Sequence, residues 1–451
     1  SAFPLGSDPS GRARVLTPGL EMFLVGMGGG VCSMAHSRKA PIAVPWLVHS
    51  TSGLHVAARL VAVRVARHFQ GRPLKQESLT LSDSLVSWHG DDTTDTSAPA
   101  DERPLRSELF SAVQMAQHGR NLSARHGIDY RRGPDRLLPR LTENAAIIAS
   151  ACAGLTAALK AARHITPASE WLLDNFYLIE EQIRLARRHL PRNYSRELPR
   201  LANEEADGVP RVFQLALEVV AHGDGRVDPE SLSRFVAAYQ EKEVLKLGEL
   251  WAVPIMLRLA LIENLRRVSG SIARMRVQRD LANHWADRMT ETAERSPSDL
   301  ILLVADMARS HPPMTRSFVA ELSRRLQGHS ASLALQWLTS RLAESGITIE
   351  QMVQSEISHQ AADQVSISNS IGSLRLLSSM DWKEFVETLS PVEQTLRMDP
   401  HGTYPDMDFA TRDMYRHKVE TIARKCTLSE TQVAEMALSL AGELREPAAG
   451  G

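Results

Sequence analysis

Residues 167–201, PASEWLLDNFYLIEEQIRLARRHLPRNYSRELPRL, decide the fold class. Thr166 ahead of Pro167 reads as an N-cap before a first-turn proline, so the spacing predicts a helix that starts here. From that start Leu172, Phe176, Ile179, Ile183, Ala186 and Leu190 recur at intervals of 4, 3, 4, 3 and 4, one continuous apolar stripe. A stripe of that period belongs to a core.

A second face of the same helix aligns Asp174, Tyr177, Glu181, Arg184 and Arg188 at intervals of 3, 4, 3 and 4. Carboxylates, arginine forks and flat rings are the groups that hold sugar hydroxyls, phosphates and pyranose faces. The same pattern also arises where one helix meets another through ion pairs. Both readings stand on the residues alone.

Outward from this stretch, residues 105 to 445 keep the helical period and lack strand-like alternation between turns. The expected fold is all-α, a multi-helix bundle or irregular helical array with a poorly ordered N-terminal segment. Two helical subdomains are expected, at 105–290 and 291–445, followed by a short tail at 446–451. Asp381 with Glu384 and Thr427 with Glu430 read as capping boxes, and Asp228 before Pro229 as another N-cap. GELWAVPIMLRLALIENLRR carries a second stripe, Leu250, Val253, Leu257, Leu261, Asn264 and Val268, in a helix that Pro254 should kink. No fixed-period repeat is visible.

Residues 1–104 read differently. The first 55 are rich in Gly, Pro and Ser, and the chain opens on Ser1, so this part is expected to be poorly ordered or not native. HVAARLVAVRVARHF gives a possible basic amphipathic helix near 55–70, suited to a solvated face or an anionic membrane surface. SWHGDDTTDTSAPADERP, residues 87–104, is a polar linker. Basic residues before position 76 and acidic ones after it cancel, and the whole chain has a formal net charge of -1. Such a balance supplies no long-range field for nucleic acid, so no nucleic-acid partner is expected.

Cys32, Cys152 and Cys426 have no metal-binding or disulfide spacing and read as reduced thiols. GLEMFLVGMGGGVCSMA is not expected to act as a signal peptide, because Glu21 and the glycines break its apolar run. No stretch is expected to span a membrane, and Arg258 interrupts the best candidate.

Individual polar residues give weaker signals. Arg258 in its apolar run demands a partner, expected to be a carboxylate. His222 reads as a C-terminal partner of the helix dipole. GDGRVDPESLSRF resembles a calcium loop only superficially, with Asp228 better read as a cap. Asp406 and Asp408 could chelate a metal, but an N-cap at Asp408 explains them more simply. On the helix from Asp408, Tyr415, Val419 and Ile422 are expected to face the core, with Arg412, Arg416 and His417 on the polar side. Phosphate-binding loops, a nucleophile elbow and a His-Glu-x-x-His helix are all missing from the sequence. No residue is assigned as catalytic or as a metal ligand.

Six segments in order, EWLLDNFYLIEEQIR, YSRELPRL, PRVFQLALEVVAH, GELWAVPIMLRLALIENLRR, NSIGSLRLLSSMDWKEF and MDFATRDMYRHKVE, resemble the N-terminal region of bacterial cyclic β-1,2-glucan synthases. The resemblance covers roughly residues 105–445. It implies a cytosolic module at the inner membrane of an enzyme that builds β-1,2-glucan on itself from UDP-glucose and cyclises it. UDP-glucose and a divalent cation would serve the full synthase, with no cofactor in this chain. Partners would be the membrane and catalytic modules, with β-1,2-glucan as a further candidate. The Gln-x-x-Arg-Trp motif of processive transferases is not in this sequence, so no catalytic centre carries over.

Trp171, Asp174, Tyr177, Glu180, Glu181, Glu197, Pro210, Arg211, Glu249, Trp251 and Asp413 match the family's wording without a known role. All of these but Pro210, together with Arg184, Tyr194, Arg258 and Tyr404, are the candidates for a polar seam or glycan contact. The chain departs from the usual wording at Tyr194-Ser195 and at AHGDGR, residues 221–226. The leading expectation is an assembly or priming module that is silent alone. The alternatives are a stand-alone helical interaction module, and a helical glycan-binding or glycan-cleaving protein using Asp174, Glu180 or Glu181 as acid and base.

Overall fold

The computed structural model describes residues 102–202, 208–327 and 332–443. Most of the N-terminal segment lies outside them, including Cys32, the basic stretch near 55–70 and the linker up to 101, as does the tail from 446. The described residues are all-α, as the periodicity predicts. In chain order they form α1 (Ala112–Arg125), α2 (Leu137–Lys160), α3 (Pro167–Asp174), α4 (Phe176–His189) and α5 (Tyr194–Glu197). There follow α6 (Arg211–His222), α7 (Pro229–Gln240), α8 (Leu247–Arg295), α9 (Leu300–Arg309), α10 (Arg316–Leu326) and α11 (Ser332–Ala343). The last are α12 (Ile349–Ser379), α13 (Trp382–Leu389), α14 (Pro391–Leu396), α15 (Phe409–Ala423) and α16 (Glu430–Glu443). Two two-residue strands, β1 (Ile128–Asp129) and β2 (Arg200–Leu201), pair antiparallel with Ile128 opposite Leu201.

The single helix expected from Pro167 is two helices, α3 and α4. Asn175 leaves the helical region at φ -103°, ψ 6°, and its side-chain amide donates to the Trp171 carbonyl at 2.9 Å. Its side-chain oxygen, Oδ1, accepts from Arg375 Nη2 of α12 at 3.2 Å. An Asn that satisfies the preceding turn competes with the helix, which breaks there. The apolar stripe nevertheless survives the break: Leu172, Phe176, Ile179, Ile183, Ala186 and Leu190 are all buried.

The organising element is α8, 49 residues and thus about 74 Å long at 1.5 Å per residue. It carries Pro254 inside it, and Leu250, Val253, Leu257, Leu261, Asn264 and Val268 are all buried. α8 packs against α2, α6, α10 and α12, while α1 lies along α7 and α15 and α14 pack on α16. Apolar side chains gather in three clusters. The largest joins α1–α8 to the C-terminal half of α12 and to α13; the second surrounds Trp285, Met307, Phe318 and Leu338; the third surrounds Val392, Tyr404 and Val433. Each fully buried Leu contributes about 1.5–3 kcal/mol.

The caps fall mostly where predicted. Thr166, Asp228, Asp381 and Asp408 accept from the first-turn amides of α3, α7, α13 and α15. The box expected from Thr427 and Glu430 is instead made by Ser429 and Gln432, whose side chains each accept from the other's backbone amide. Glu430 is drawn away to accept from the Leu247 amide at the start of α8, 2.8 Å off. At the α6–α7 turn Gly225 has φ +79°, and a Cβ there would lie 2.4 Å from Ser370 Oγ, so only glycine fits.

Among the described residues one helix, α2, is long and apolar enough to cross a membrane by length and composition, which amends the expectation that no stretch qualifies. Its buried stripe, Leu137, Leu141, Ile148, Cys152 and Leu155, packs in the main cluster. Burial pushes the Cys152 thiol up to about 12.

Candidate functional site

The structure divides the candidate residues into an exposed face, a buried pair and a charged node. Trp171, Asp174, Tyr177, Glu180, Glu181 and Arg184 all point outward from α3 and α4. Trp171 is 41% and Tyr177 61% exposed, so the face is a patch of ring and charge open to solvent. Among the described residues it forms no helix–helix seam. Because Glu180 and Glu181 are neighbours on one convex helix, they do not flank a common bond as the two carboxylates of a glycosidase must.

Arg211 and Glu249 form the buried pair. Arg211 Nε and Nη2 donate to the two Glu249 oxygens at 2.6 Å each, with both side chains fully buried. Nη2 also donates to the Val244 carbonyl at 2.8 Å, and the Lys246 amide donates to Glu249 at 3.0 Å. Burial opposes the charge on Arg211, but the hydrogen bonds and attraction of Glu249 outweigh it and hold the guanidinium above its ordinary value. The pair locks the N-terminus of α6 to the first turn of α8.

Arg258 is buried on α8 and donates through Nε to the Gln182 side-chain oxygen at 2.9 Å, in place of the expected carboxylate. Desolvation lowers its pKa to about 10. The neutral amide leaves the charge uncompensated locally, which is why burial dominates there.

The charged node is built on α15 turned opposite to expectation. Arg416 is fully buried and Asp413 nearly so, whereas Tyr415 is 43% and Ile422 53% exposed; Val419 alone of the predicted apolar side is inward. Arg416 Nη1 reaches Glu393 at 2.5 Å and Glu387 at 2.9 Å, and Nη2 reaches Asp413 at 3.1 Å. Arg412 forks onto Glu387 at 3.0 Å, and Arg397 meets Glu393 at 2.8 Å. Three guanidiniums thus meet three carboxylates, and the inward attraction overrides the apolar spacing of the helix. Tyr404 OH donates to Glu393 at 2.7 Å. Burial raises the Tyr404 phenol and the Glu393 contact raises it further. Burial works against the Glu393 charge, yet Tyr404 and Arg416 together hold its pKa below the usual value.

Segments of the glucan-synthase wording meet between α5, the start of α8 and α15. Glu197 bridges Arg132 at 3.1 Å and Arg424 at 3.7 Å. The Trp251 ring stands edge-on to Phe409, centroids 6.4 Å apart, and a Cβ on Gly248 would lie 3.3 Å from Glu420. Tyr194 packs against the main cluster there, and burial raises its phenol well above the ordinary value. The sequence reading missed Glu263, fully buried among Arg140, Arg266, Arg267 and Asn144. Burial opposes its charge, but the arginines drive its pKa far down. Arg266 and Arg267 stand three and four residues on along α8, but its partners from α2, Arg140 and Asn144, lie over 100 residues away and leave no local pattern.

The GDGR loop holds no calcium-like array, since Asp224 pairs with Arg106 and Glu230 with Arg234. Asp408 caps α15 and also accepts from Thr411. Among the described residues one set of metal-ligand atoms does converge, His118, Glu218 and His222. An apolar cavity of about 10 Å³, lined by Val212, Leu215, Val219, Phe235, Val253 and Leu257, has room for about one water.

Fold and site define an all-α module whose charged groups are largely spent on holding helices together. No family profile matches the chain. Over 349 residues, 76% of its length, the chain is 34% identical to the cyclic β-(1,2)-glucan synthase NdvB of Rhizobium meliloti (strain 1021). It spans 12% of that protein's length. The relation to a cyclic β-1,2-glucan synthase that the ordered segments imply is therefore shown.

Proposed function

We propose that this chain is the N-terminal cytosolic helical module of a cyclic β-1,2-glucan synthase-like protein, serving its assembly at the inner membrane face and not catalytic by itself. The identity to NdvB over 349 residues carries this reading. UDP-glucose and its divalent cation belong, on this account, to the transferase portion. Burial disfavours priming at the two tyrosines first considered for it: Tyr404 is 5% exposed and its hydroxyl is engaged by Glu393, while Tyr194 is packed on the core. Neither phenol is presented to a sugar donor.

The α3–α4 face is the proposed contact with the neighbouring modules, because exposed Trp and Tyr beside arginines are the groups that anchor interfaces. The test is association of the purified chain with the remainder of a synthase. The Trp171→Ala, Tyr177→Ala double variant should bind at least about tenfold more weakly, with unfolding midpoint unchanged. Undiminished association would remove this face from the proposal.

A further inference from the structure

We propose that His118, Glu218 and His222 form a binding site for a divalent transition-metal ion of the zinc type, joining α1 to α6. His118 comes from the middle of α1, while Glu218 and His222 sit one turn apart on α6. His118 Nε2 lies 2.9 Å and His222 Nε2 3.6 Å from the same oxygen, Glu218 Oε2, and the three ligand atoms lie within 4.8 Å of one another. Zinc holds nitrogen and carboxylate ligands at about 2.0–2.1 Å, so a tetrahedral site separates them by about 3.3 Å. The observed spacings bracket that value, and small side-chain shifts would bring all three onto one ion.

Neighbouring groups hydrogen-bond the ligands and fix their orientation, as the groups around a metal's ligands do. The His222 Nδ1 proton is donated to the Glu108 carbonyl at 2.7 Å, which leaves the Nε2 lone pair facing Glu218. Gln214 donates to the other carboxylate oxygen, Glu218 Oε1, at 3.2 Å, leaving Oε2 for the ion. Phe110 stacks on the His222 ring at 3.9 Å and stands edge-on to His118 at 5.4 Å, forming an apolar wall on one side. Without metal, the proton on His118 Nε2 is donated to Glu218; on binding it moves to Nδ1 or leaves to water, and the ion takes its place. Three protein ligands leave a fourth position for water or for a donor from another module.

The α6 pair was legible only as Glu-x-x-x-His, with the third ligand 100 residues earlier.

The test uses the full chain, stripped with chelator and titrated with Zn²⁺ against a chromophoric competitor, in parallel with Co²⁺ followed by visible absorption. Histidines elsewhere make the difference between proteins the readout. Wild type should bind one more equivalent than the His118→Ala, His222→Ala variant and show tetrahedral Co²⁺ bands that the variant lacks. Gln214→Ala, which removes no ligand, should weaken that equivalent about 10–100-fold. Should the double variant lose its fold by circular dichroism, Glu218→Gln, close in size, gives the same comparison. Equal stoichiometry and equal Co²⁺ spectra in wild type and the folded variant would overturn the proposal.

Discussion

Arg211 and Glu249 show what a single buried charge does in this molecule. Removing one partner leaves the other desolvated and alone, a loss of about 3–5 kcal/mol, whereas exposed ion pairs are worth about 0–1 kcal/mol. Arg211→Met should therefore lower the unfolding free energy by about 3–5 kcal/mol in urea, and Arg234→Ala, which breaks the exposed pair with Glu230, by less than about 1 kcal/mol. Comparable losses for both would deny the pair its structural role. The sequence shows that Arg258 and Arg211 need partners but not who they are. Gln182, Glu249 and, for Glu263, Arg140 are supplied by helices 38 to 123 residues away, and pairing over such distances leaves no periodic trace.

At the level of the helix, α15 carries the clearest conflict between pattern and packing. Its apolar spacing points Tyr415 and Ile422 inward, and the charged node of Arg412, Asp413 and Arg416 wins that face. The node also makes the helix pH-sensitive. Glu393 and Asp413 have folded pKa values below their ordinary 4.5 and 3.8; in both, burial opposes the charge and hydrogen-bonded partners outweigh it. Their stabilisation is present above those ordinary values and is lost as pH falls through the lowered ones. His417 is raised above 6.5, chiefly by its bond to Asp413, so its contribution is complete below 6.5 and is lost as pH rises through the raised value. Urea unfolding across pH should therefore show an alkaline decline in wild type that shrinks in His417→Gln, with the acid limb retained. An unchanged alkaline limb would refute the His417–Asp413 contribution. Helix positions and caps at Thr166, Asp228, Asp381 and Asp408 were legible because they depend on neighbours in sequence. The break at Asn175 and the cap at Ser429 were not, because Arg375 and the Leu247 amide, both distant, decide them.

Across the whole molecule, α8 contributes to both the main and the second apolar cluster, so the described helices are strung along one rod. The all-α class and the synthase relation were both readable from period and wording. The grouping of the candidates was not: what read as one seam resolves into an outer face, a buried pair and a node, with segments of the shared wording meeting at α5, α8 and α15. The central claim is that this module serves assembly and carries neither transferase centre nor glucan. It is tested by incubating the purified chain with radiolabelled UDP-glucose, alone and with the downstream membrane portion of a synthase, then resolving the products on a denaturing gel. The account predicts no label on this chain in either case, and glucan on the downstream portion that increases when the chain is added. Label on the isolated chain, or glucan synthesis indifferent to its presence, would contradict it.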